Sequence, residues 1–106
     1  MKIVTTDTIS GYQVSATLGV VNGSVVRSKH LGRDIMAGLK TLIGGEIKGY
    51  TEMLTEARQI AIERMIAQAE QLDADAVVNV RFTTSAIMNG MSEMLAYGTA
   101  VKLTPA

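Results

Sequence analysis

The unbroken run from Tyr50 to Leu72, YTEMLTEARQIAIERMIAQAEQL, holds neither Gly nor Pro and is the longest stretch of helical periodicity in the 106-residue chain. At about 100° per residue, Met53, Leu54, Ala57, Ile60 and Ala61 fall on one arc, with Glu52, Glu56, Gln59, Glu63 and Glu70 on the opposite one. The spacing predicts a central helix with one buried and one solvated face. Further along, the apolar arc rotates through Ile62, Met65, Ile66 and Ala69, so that more than half of the circumference is apolar. One thin sheet does not need so wide an arc, which predicts a second packing partner, another subunit.

The remaining elements arrange themselves around that helix. Lys2 to Thr5 is a short β-branched run followed by turn-prone residues, and predicts a short strand. From Gln13 to Arg27 the chain alternates, with Val14, Ala16, Leu18 and Val20 on one side, and then loses phase. Asn22-Gly23 reads either as a tight hairpin turn or as a bulge in one long strand; the bulge is favoured because each hairpin arm would be short and poorly patterned. Leu31, Ile35, Leu39, Leu42 and Ile43 recur at helical spacing ahead of Gly44, predicting a first, shorter helix with a glycine cap. Gly44 to Gly49 then reads as a hinge, and Thr51 as the N-cap of the central helix.

Two further runs, Ala76 to Met88 and Met91 to Leu103, flank Asn89-Gly90, a strong hairpin signal. Pairing Met88 with Met91 sets Val78 opposite Val101, Val80 opposite Thr99, Phe82 opposite Tyr97 and Thr84 opposite Leu95 on an expected core face. The other face pairs Asn79 with Ala100, Arg81 with Gly98, Thr83 with Ala96 and Ser85 with Met94, and is polar and small. The expected fold class is α+β: an antiparallel sheet with two helices on one face, in the order β-β-α-α-β-β, with residues 1–106 forming a single domain.

Ten basic and ten acidic residues cancel, which removes the electrostatic footprint of a general nucleic-acid or anionic-membrane binder. The absence of Cys rules out disulfides, thiolate metal sites and a Cys nucleophile. No apolar h-region opens the chain and no run approaches the roughly 18 apolar residues of a membrane span, so the expectation is a cytoplasmic protein.

Several strings carry a family resemblance. Gly44-Gly45-Glu46 through Tyr50-Thr51-Glu52, Glu56-Ala57-Arg58, Arg64-Met65, Ala74 to Phe82, Leu95 to Val101 and Arg33 to Gly38 together resemble the YbjQ-like family, whose members are labelled heavy-metal-binding domain proteins without an established biochemical role. The resemblance covers almost the whole chain and implies a dodecin-like subunit assembled as a homopentamer. Two departures stand out: Asp73, where the family has Gly after the helix, and Arg81, where other relatives carry an acid. A metal role borrowed from that acid would be lost here.

The chemistry-bearing residues are few. His30 is the lone His, and beside Lys29 it reads as a solvated loop residue more readily than as a ligand. Met88, Met91 and Met94 have the spacing of some soft copper(I) sites, but alternation divides them between two faces. Arg81, flanked by Asn79 and Thr83, reads either as one half of an intersubunit salt bridge or as part of an arginine ring that holds a small anion. Arg33-Asp34 at a helix start is a further ligand-binding candidate. No phosphate loop is present, and no nucleophile and base pair can be nominated. The functional expectation is a homopentameric binding or scaffold protein without catalysis, with a small anion as a candidate ligand and no assigned cofactor; the alternative is heavy-metal sequestration through carboxylate, Met and His groups at subunit interfaces.

Overall fold

The computed structural model describes residues 1–28, 45–88 and 91–106. Strand β1 spans Lys2–Ile3 and β2 spans Tyr12–Ser28; helix α1 spans Gly45–Gln71; β3 spans Ala76–Met88 and β4 spans Met91–Pro105. The four strands form one sheet in the order β1-β3-β4-β2. Strand β1 runs parallel to β3, whereas β4 lies antiparallel to both β3 and β2. This corrects the expected fold class: the sheet is mixed, and among the described residues one helix covers it rather than two. The shorter helix expected over Leu31 to Ile43 lies outside the described residues, and the dodecin-like subunit with two helices on one face finds no support.

At 27 residues, α1 is longer than its sequence periodicity implied. It begins at Gly45, so the expected glycine hinge and the Thr51 cap fall within the helix. At about 1.5 Å per residue it spans roughly 40 Å. Its fully buried positions are Ala57, Ala61, Met65 and Ala69, each one turn from the next, while Ile60, Ile62 and Ile66 are half-buried and Leu54 is exposed. The stripe is therefore narrow and built mostly of alanine. Small side chains bring the helix axis close to the sheet, and the sheet answers with small residues of its own. Val21, Ala96 and Ala100 join Ala61, Met65 and Ala69 in the main core cluster, with Val77 and Val80 from β3. Gly23 lies directly beneath the helix: a Cβ there would overlap Ala61 O and Met65 N and stand 2.7 Å from Arg64 Cβ.

This contact overturns the expected division of β4. Met94, Ala96, Gly98 and Ala100, assigned to the polar and small face, are buried on the helix side. Tyr97 and Phe82, assigned to the core, are exposed. Val78 and Val101 are buried, but in a separate cluster with Ile9 and Ala76. Hydrophobicity ranks Leu95 and Tyr97 above Ala96 and Gly98, yet a helix that approaches this closely selects the smaller side chains.

Register shifts carry the rest of the difference. Met88 pairs with Met91 as expected, but shifts between Ala86 and Met88 and between Val78 and Arg81 bring Arg81 opposite Tyr97 and Val78 opposite Thr99. Strand β2 runs through Asn22-Gly23 without turning, and its irregularities fall earlier, between Val14 and Ala16 and between Thr17 and Gly19. These shifts put Val21 and Val25 against the helix and leave Val20 74% exposed.

The helix ends in a Schellman motif. The Ala74 N–H donates to Ala69 O at 3.1 Å and the Asp73 N–H to Glu70 O at 3.0 Å, with Asp73 at φ 59°. Glycine adopts that left-handed conformation without the steric cost that a Cβ imposes. Asp73→Gly is therefore expected to raise stability by about 0.5–1 kcal/mol in urea unfolding. Gly23→Ala should do the opposite, by about 2–3 kcal/mol, because the new methyl meets helix backbone that cannot turn aside.

Candidate functional site

The two β3 candidates, Asn79 and Arg81, lie at the bulge where the N-terminal segment docks. Asn79 takes φ 55°, a left-handed conformation that Asn tolerates better than most residues. Its N–H donates to Thr6 O at 2.9 Å, and the Val80 N–H donates to Val4 O at 2.9 Å. Arg81 Nη1 donates to Thr5 O at 2.8 Å and to Val80 O at 2.9 Å. In this subunit the guanidinium thus holds the chain that follows β1 against β3. Its bonds go to main-chain carbonyls, and its side chain remains exposed. Arg33, Asp34 and His30 lie outside the described residues.

The three methionines do not converge. Met88 sits in the last strand pair before the 89–90 connection and is 61% exposed, whereas Met94 is buried with Val25 and Ala57. Among the described residues there is no group of three or more His, Cys, Asp or Glu placed to hold a metal ion. Two carboxylates share one ammonium: Lys102 Nζ lies 3.3 Å from Asp75 Oδ1 and 3.7 Å from Asp73 Oδ2. The described donor set does not fit a metal.

Asp75 belongs to an arrangement that sequence reasoning missed. It follows the helix cap directly, and its Oδ2 accepts the Leu103 N–H at 2.8 Å. Lys102 also donates to Asp73 O at 3.0 Å, so one ammonium ties the end of α1 to β4. The Leu103 N–H, with Lys102 beside it, holds the Asp75 carboxyl below the usual carboxylate range, against a smaller opposing effect of desolvation. Next to it is an open cleft of about 340 Å³ lined by Lys2, Tyr12, Asp75 and Leu103. Lys2 Nζ stands 5.7 Å from the centre of the Tyr12 ring. The cleft thus presents an ammonium, a phenol and the Asp75 carboxylate side by side. Its members come from β1, β2, the helix–β3 joint and β4, and no local sequence signal connects them.

The sheet has one face under α1 and an opposite face that α1 does not reach. On the latter, Val20, Val26 and Tyr97 are exposed apolar residues interspersed with Asn22, Ser24, Thr83 and Ser85. The accessible surface is 6738 Å², against about 5,700 Å² for a compact monomer of this mass. The radius of gyration is 17.2 Å, where a compact chain of this length has about 13 Å. Among the described residues, no helix is long and apolar enough to cross a membrane.

Among the described residues, these features define a small α+β protein with one helix laid across one face of a mixed sheet, while the N-terminal segment around Ile9 covers part of the other face. The model of the family described as "Putative heavy-metal-binding", YbjQ_1, matches residues 1–104. A UPF0145 protein of Photobacterium profundum is 68% identical over 103 residues, covering 97% of this chain and 100% of the relative. A UPF0145 protein of Thermotoga maritima is 66% identical over 103 residues, covering 97% of each. The chain belongs to this YbjQ-like, UPF0145 family. A crystal structure of a protein of unknown function from the DUF74 family of Pediococcus pentosaceus shares the fold, with a TM-score of 0.65 at 18% identity over 98% of both chains.

The depressed Asp75 pKa sets the sign of an acid effect. A carboxyl whose folded pKa is lowered contributes stability above its unfolded pKa and loses it as pH falls through the folded value. Thermal unfolding from pH 7 down to about pH 3 should therefore show a drop below about pH 4. Asp75→Asn should be less stable at pH 7 and should show a smaller part of that drop.

Proposed function

We propose that this protein is a non-catalytic, cytoplasmic binding or scaffold subunit that works as a homo-oligomer, with five copies as the expected number. The observation that carries the proposal is the surplus of exposed surface. Roughly 1,000 Å² beyond that of a compact monomer is comparable with the ~800 Å² that one partner contributes to a stable interface. Among the described residues, the part of the sheet that α1 does not reach and the half-buried Ile62 and Ile66 flank of α1 are surfaces that a second copy would cover. Neutral net charge supports association, since like-charged copies would repel one another. The absence of catalysis rests on the residues themselves. In the 340 Å³ cleft, Asp75 is already engaged by Leu103 and Lys102, which leaves no general base poised beside a nucleophile.

Metal sequestration is the second reading, supported by the description attached to the family model. Residues from several subunits would supply a site of that kind, since among the described residues of one subunit no three His, Asp or Glu groups are placed to hold a metal ion.

Native mass spectrometry of untagged protein prepared without chelator reads both quantities at once. The expected result is a metal-free assembly at five times the 11.3 kDa subunit mass. A stable monomer overturns the proposal, and a metal-sized increment on the assembly puts the second reading first.

A further inference from the structure

The two outer edges of the sheet are treated differently. Strand β2 forms one edge, and α1 partly guards it: the Asn22 N–H donates to Gln68 Oε1 at 2.9 Å, and Arg64 Nη1 donates to Ser24 O at 2.5 Å. Strand β3 forms the other edge beyond the reach of β1. The parallel β1 pairing covers Ala76 and Val77, and the following N-terminal residues reach as far as Asn79 and Val80. From Arg81 to Met88, among the described residues, nothing pairs with the outer side of β3.

Eight residues of open edge are unusual in a protein that works alone. Isolated chains blunt such edges with charge, proline, a covering loop or a very short strand. Here the segment RFTTSAIM has Arg81 at its inner end and neither charge nor proline beyond it. It is rich in residues that favour strands, and Phe82 and Ile87 are 45% and 49% exposed. Left uncovered, this is the composition of an aggregation-prone strand.

We infer that the Arg81–Met88 edge is a strand-pairing surface for a second copy of this chain, which docks through the outer edge of its β2. The inference rests on the homo-oligomeric reading above and specifies its contact. A two-fold pairing of β3 with β3 would use the open edge but would leave β2 unpaired, and it joins copies only in twos. A head-to-tail contact joins two different edges, repeats from copy to copy, and covers both the Arg81–Met88 edge and the β2 edge once the ring closes. Strands β2 and β3 are both antiparallel to β4 and so run in the same direction. In a ring whose axis follows the strands, the new pair is therefore parallel. The helix guard takes one donor and one acceptor of β2, at Asn22 and Ser24, and the longer strand continues beyond both.

The absence of native Cys permits a direct test by disulfide trapping. Thr83→Cys is combined in turn with Val20→Cys and Val26→Cys, residues of the same sheet face on either side of the guarded Asn22–Ser24 stretch, and each single variant serves as a control. Facing positions on paired strands lie within the ~4.4–6.8 Å Cα separation that a disulfide requires. After mild oxidation, at least one combination is expected to run as a ladder of multiples of 11.3 kDa under non-reducing denaturing conditions, with the single variants remaining at one subunit mass. A native oligomer that yields no ladder with any combination overturns the edge contact while leaving the oligomeric reading intact. Complete conversion of the Thr83→Cys single variant to dimer overturns it in favour of two-fold pairing. A monomer by native mass spectrometry removes both.

Discussion

The seating of α1 on Gly23 sets the geometry of the whole subunit. A helix normally rests on a sheet through a layer of large aliphatic side chains; here the layer is thinned to Ala57, Ala61 and Ala69 above and Gly23, Ala96 and Ala100 below. The close approach yields dense packing over a small area, with Met65 from the helix and Met94 from β4 as long side chains filling the space that remains. It also brings Gln68 and Arg64 within reach of the β2 main chain. The helix is thus held sideways toward β2, and its distance from the distal half of β3 follows from that position.

Two left-handed residues adapt the chain to this arrangement. Asp73 reverses the chain at the end of α1 so that Asp75 enters the sheet beside β4, where Lys102 and Leu103 hold it. Asn79 changes the phase of β3, so that Val77 and Val80 both face the helix while Val78 is buried on the other side with Ile9 and Val101. The bulge also opens the place where Val4 and Thr6 bond to β3, and Arg81 closes over it through Thr5. Of the sequence's ligand-binding candidates, Asn79 and Arg81 make main-chain contacts within the subunit. The sheet face away from α1 and the Arg81–Met88 edge carry mostly hydroxyl, amide and apolar groups.

Much of this was legible in the amino-acid sequence. The central helix, the continuous β2 strand and the final hairpin follow from period and turn chemistry, which are local properties of the chain. Family membership was legible too, because it rests on strings of residues rather than on contacts. The Lys2, Tyr12, Asp75 and Leu103 cleft was not, since its members are brought together only by the β1–β3 and β2–β4 pairings.

The sequence alone determined which segments become helix and strand, because backbone propensity and hydrophobic period act within a few residues. Tertiary structure decided which face of each strand is buried. One extra residue at each bulge inverts the alternation that follows it, and alternation read from an uninterrupted strand cannot register that change. Tertiary structure also decided that small residues rather than large ones lie under the helix. That choice depends on how closely two elements approach, a distance set by the whole packing and written in no single segment.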